Sequence, residues 1–224
     1  MALSHNRITS SLHLPHRGVP NSTLVKEGSS LAVTYGNKSV AEQNSIDLAW
    51  ALFMDPAYTD LRRVLYVNPE EYKRFRQLVA NLVMATDIMD KELGAFRKAR
   101  WNKVFSEGSL TSRLTNGEDE KADVNRKATI VLEHLIQASD VSHTMQHWNI
   151  FVKWNERLFH EMYSAYVQGR SDVDPSENWY KGEIGFFDFY VIPLAKKLES
   201  CGVFGVSSKY RLLRAYVRVQ ATFV

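Results

Sequence analysis

The sequence predicts an all-α fold, on three observations. Apolar residues recur at three- and four-residue intervals through most of the chain, and helix-start signals precede several of these runs. No stretch keeps the strict alternation of a half-buried strand, apart from a short Val-rich segment near 217–219. With 224 residues the chain can bury a sizeable core, as one large domain or two subdomains.

Taken in order, residues 1–38 read as loop or irregular structure, broken by Pro15, Gly18, Pro20, Gly28 and Gly36. Ser39-Val40-Ala41-Glu42 has the spacing of a capping box, and Ile46, Ala49, Trp50 and Phe53 follow at helical period. Asn68-Pro69-Glu70-Glu71 is a second start, with Asn as N-cap and Pro at N1. Behind it Phe75, Leu78, Val79, Leu82 and Val83 make one apolar face. The polar segment SEGSLTSRLTNGEDEKAD, 106–123, reads as an exposed loop or linker. Ala128, Val131, Leu132, Leu135 and Ala138 then carry a helix up to Asp140, and Phe151, Trp154, Leu158, Met162 and Tyr166 mark another. The last runs from about Lys181 through Ile184, Phe187, Val191, Leu194 and Leu198, where Pro193 should bend it or cost a backbone bond.

Composition narrows the function classes. A 45% hydrophobic and 24% charged chain is ordinary for a globular protein. A net charge of +3 gives no reason to expect nucleic acid or an anionic membrane as partner. No apolar run reaches the roughly 18 residues of a membrane span, and the first twenty residues lack the apolar core of a secretory signal. One cysteine, Cys201, fits a reducing compartment, so a cytosolic location is expected.

In ASDVSHTMQHW, 138–148, Asp140 and His143 stand three apart and share a helix face, which is ligand-like spacing. A lone carboxylate with one nearby histidine is more often a helix end beside a wet surface than a metal site, so the local signal alone is weak. Glu42 is similarly open, since a capping box accounts for it without chemistry.

Five stretches in order carry a resemblance over about residues 16–200. HRGVPN (16–21), YGNKSVAEQN (35–44), MATDI (84–88), the Asp140 stretch and KGEIGFFDFYVIPLAKKL (181–198) resemble the catalytic domain of class I 3′,5′-cyclic-nucleotide phosphodiesterases. The resemblance implies a compact, multi-helix, HD-like domain, of which this chain matches the C-terminal two-thirds. Residues 1–15 and 206–224 fall outside the match. It implies two divalent metals, zinc and either magnesium or manganese, that activate a water for attack on cyclic AMP or cyclic GMP. Asp140 then falls on a metal ligand, and Asp87, with Thr86, on a ligand acting through water. His16 and Glu42 fall on catalytic positions. Phe186 matches the aromatic that stacks on the purine. Glu183, Leu158, Met162, Trp154 and His143 match other substrate-binding positions.

Two departures qualify this. Glu183 stands where the family has glutamine, and an ionised carboxylate only accepts hydrogen bonds, which leans towards adenine. The family's preceding His-Asp pair aligns with Leu12 and His13, and Leu12 ligates nothing. By that alignment Asp140 alone remains of four zinc ligands, where zinc takes three or four. The expectation is a truncated phosphodiesterase domain with an incomplete metal site. The alternative is an inactive module that binds cyclic nucleotide or a partner protein.

Overall fold

The computed structural model describes residues 19–105 and 117–201, and every regular element among them is helical. His16, residues 106–116, the 217–219 segment and both outer boundaries of the resemblance lie outside the described residues. Chain order gives α1 (Asn21–Lys26), α2 (Ser30–Thr34), α3 (Val40–Phe53), α4 (Thr59–Leu65), α5 (Pro69–Met84) and α6 (Lys91–Phe105). There follow α7 (Gly117–Asp140), α8 (Trp148–Val167), α9 (Trp179–Phe186) and α10 (Ile192–Ser200). A π-helical turn, Phe187–Val191, joins α9 to α10.

The expectation of irregular structure up to residue 38 is corrected by α1 and α2. Leu24, Ala32 and Val40 bury together and make these short helices worth forming. The loop expected over 106–123 is shortened, because α7 already begins at Gly117.

The start of α5 is as the sequence implies. Asn68 Oδ1 accepts from the Glu71 amide at 2.9 Å, and Glu71 Oε2 accepts from the Val67 amide at 2.8 Å. The start of α3 is not. Ser39 precedes the helix with φ at 40°, and its hydroxyl is buried without a partner among the described residues. Asn21, from α1, takes over as cap: its Oδ1 accepts from the Ala41 amide at 2.9 Å.

α7 is the central helix, packing on α5, α6 and α10. Its apolar pattern suggests that Val131, Leu132 and Leu135 face inward, but Leu132 is exposed. The buried side is Ile130, Glu133, His134, Gln137 and Ala138. Polar groups reach the interior because each has a partner. Arg100 donates to both Glu133 oxygens at 2.8 and 3.1 Å, and Gln137 Nε2 donates to the Ala85 carbonyl at 2.7 Å. The His134 Nδ1–H donates to the Ile130 carbonyl at 2.7 Å.

From α9 to α10 the helix is continuous through Pro193. The proline sits at the second position of α10, directly after the wide π turn, where the ladder is already loosened for a residue without an N–H. Phe187, Val191, Leu194 and Leu198 are all buried, as their spacing implies.

Candidate functional site

Asn21 draws together two of the carboxylates singled out in the sequence. Its Nδ2 donates to Glu42 Oε2 at 2.8 Å and lies 3.4 Å from Asp87 Oδ2. Glu42 therefore does not reach back to its own helix start, and it faces a cleft of about 620 Å³. The cleft is lined from three sides: Asn21 on α1, Ser39 and Glu42 at the start of α3, and Thr86 to Asp90 after α5. Asp87 is buried and fixed. Its Oδ1 accepts from the Met89 and Asp90 amides at 3.2 Å each, and its carbonyl accepts from Arg97 at 3.0 Å.

Asp140 is exposed at the end of α7 and is not among the residues lining that cleft. Its charge acts on two neighbours. The Tyr190 hydroxyl is pushed up to about 12, by burial first and by Asp140 second. Burial lowers the His143 pKa, with Asp140 acting the other way. The His143 ring lies parallel to Phe151, centroids 6.2 Å apart. His147 caps α8 instead, accepting from the Asn149 amide at 3.3 Å.

Among the described residues no three of His, Cys, Asp and Glu come together closely enough to hold a metal. A zinc site takes three or four such ligands, so the described residues do not fit zinc. Glu42 and Asp87 are a lesser donor set, two carboxylates sharing one amide.

The remaining predicted residues lie on α8 and α9. Trp154, Leu158 and Met162 fall at four-residue intervals on α8 and are 50%, 45% and 44% exposed, so they are not core. Glu183 is half-buried on α9, and burial raises its pKa while a hydrogen bond from Asn155 opposes the rise. Asn155 is itself fixed, because its Oδ1 accepts from the Trp179 indole at 2.9 Å. The indole can only donate, so the Asn155 amide is left to face Glu183. Phe186 is partly core: it packs against both the Ala138–Leu198 cluster and the Phe151–Val191 cluster. It also stacks on Tyr190 at 5.4 Å. Asn21 and Asn155 were not singled out as functional from sequence. Asn21 ends a quoted motif, whereas nothing local marks Asn155.

The all-helical fold agrees with known proteins. The chain matches the 3′5′-cyclic nucleotide phosphodiesterase family over residues 9–203 and belongs to it. It is 24% identical over 189 residues to the Bos taurus "dual specificity calcium/calmodulin-dependent 3′,5′-cyclic nucleotide phosphodiesterase 1B". That alignment covers 80% of this chain and 31% of the relative. A second relative, "probable 3′,5′-cyclic-AMP phosphodiesterase pde-4" of Caenorhabditis elegans, is 24% identical over 187 residues, covering 80% of this chain and 26% of that one. The chain thus spans about a third or less of these relatives. In fold it is similar to the crystallised phosphodiesterase domain of the Salpingoeca rosetta RhoPDE fusion protein, with a TM-score of 0.69 at 21% identity. That likeness covers 92% of this chain and 63% of the other.

Proposed function

We propose that the chain binds a 3′,5′-cyclic nucleotide by its purine along α8 and α9, in the service of hydrolysis to a nucleoside 5′-monophosphate. The observation that carries this is Asn155, fixed by the Trp179 indole at 2.9 Å and acting on the half-buried Glu183. It stands on the helix that carries the exposed Trp154, Leu158 and Met162, where Arg157 also lies 5.0 Å from the Trp154 ring centre. A flat purine needs an apolar surface and a polar group to fix its edge. Phe186 supports the face from the core side.

Above its raised pKa Glu183 is ionised and the edge accepts, which suits the amino group of adenine and opposes the carbonyl of guanine, whereas the protonated acid also donates. The preferred ligand of the ionised form is therefore cyclic AMP. Competition between the two nucleotides tests it. Cyclic AMP is expected to bind about tenfold more tightly, the value of one well-made hydrogen bond. Glu183→Gln should shrink the gap, and equal affinities in the unaltered chain would defeat the assignment.

Glu42 and Asp87 are the carboxylates that a hydrated magnesium or manganese ion would take, and such an ion would polarise a phosphoryl oxygen. The second reading, a binding module without turnover, is favoured by the lack of a three-donor group among the described residues. It predicts nucleotide binding with no 5′-monophosphate formed.

A further inference from the structure

A second, smaller cavity of about 190 Å³ lies between α6, α7 and the π turn with α10. Arg97, Lys98 and Lys197 line it, and no acidic side chain does. None of the three has a carboxylate partner among the described residues. Arg97 donates only to backbone, at 3.0 Å to the Asp87 carbonyl and 3.4 Å to that of Met84. Lys197 Nζ lies 3.3 Å from His134 Nε2 and 5.4 Å from the centre of the Trp101 ring. Because His134 spends its Nδ1 proton on a carbonyl, Nε2 is an acceptor and adds no negative charge.

Tyr190 also lines this cavity, but its hydroxyl is enclosed, without a hydrogen-bond partner among the described residues. Such a donor left unmet costs the full desolvation of its group. The cations also strain one another. Burial lowers the Lys197 pKa, and the Lys98 and Arg97 charges lower it further. The one carboxylate felt here, Asp140, acts on Tyr190 from outside the lining.

We propose that this cavity binds a small multivalent oxyanion, with inorganic phosphate as its type. Lys98, Lys197 and Arg97 would neutralise it and donate to it. The site is separate from the purine face, and Ile88 lines both this cavity and the Glu42–Asp87 cleft.

The test is titration of the full chain with inorganic phosphate, by calorimetry and thermal shift, against chloride at equal ionic strength and without nucleotide. The expected result is saturable binding with a rise in Tm that chloride does not give. Lys98→Gln, at an exposed position, should weaken binding about tenfold. Lys197→Gln should weaken it as well. Trp154→Ala should leave it untouched, so failure of the nucleotide reading is seen separately. No binding at millimolar phosphate, or binding unaltered in both Lys98→Gln and Lys197→Gln, would overturn the proposal.

Discussion

Two titratable side chains, half-buried Glu183 and buried His134, set opposite pH dependences. Glu183 has its pKa raised from 4.5 by burial, so the fold favours its protonated form. That contribution is fully present below pH 4.5 and is lost as pH rises through the raised value. Glu183→Gln is therefore expected to raise Tm at pH 7 by about 2 °C and to have no effect below pH 4.5. Thermal melts of both chains across that range check it. His134 is the reverse case. Burial, then the charges of Lys197, Arg97 and Arg100, lower its pKa from 6.5 to about 4 against the pull of its hydrogen bond to Ile130. Its contribution is present above pH 6.5 and is lost as pH falls through 4, so His134→Gln should flatten the melting curve over that window. Glu183 was visible in the sequence as a departure from a motif. His134 was not, because a histidine surrounded by Leu132, Leu135 and Ile136 looks like an interruption of an apolar face.

At the scale of elements, the helices with local signals were legible and their inward faces were less so. Asn68-Pro69 announces α5 because the cap is made within four residues. Ser39 and Glu42 carry the same kind of signal and do something else, since Asn21 arrives from another helix to cap Ala41 and bind Glu42. Periodicity places α7 but not its buried side, because the partners that permit burial, such as Arg100 and Ala85, lie far off in sequence. Arg100→Ala tests that buried side directly. It strands the Glu133 carboxylate, which is 4% exposed, and should cost about 3–5 kcal/mol in denaturant unfolding. Replacing both partners by apolar residues of similar volume should restore most of the loss. Phe186→Ala removes contacts to two core clusters and should cost about 3–5 kcal/mol, so weaker nucleotide binding in that variant would report folding as much as recognition. Trp154, half exposed, is the cleaner probe.

At the scale of the molecule, the described residues leave much apolar surface in water. Phe189 is 86% exposed, and Val64, Val67 and Met89 are each more than three-quarters exposed. Apolar surface on this scale favours association. Light scattering of the 224-residue chain should show mass rising with concentration, and a monomer at every concentration would refute this. The family and the helical class were both legible in the sequence, since ordered motifs survive at an identity near 24%. Of the two aspartates that the resemblance marks for metal, Asp87 shares the Asn21 amide with Glu42, and Asp140 ends α7 outside the lining of that cleft. Spacing along a chain does not tell which carboxylates meet across it.

The most direct test is calorimetric titration of cyclic AMP into the full chain, once with a chelator and once with magnesium and zinc. The account predicts binding in both conditions, and its loss in Trp154→Ala without a change in Tm. No heat of binding in either condition would contradict a purine face on α8 and α9.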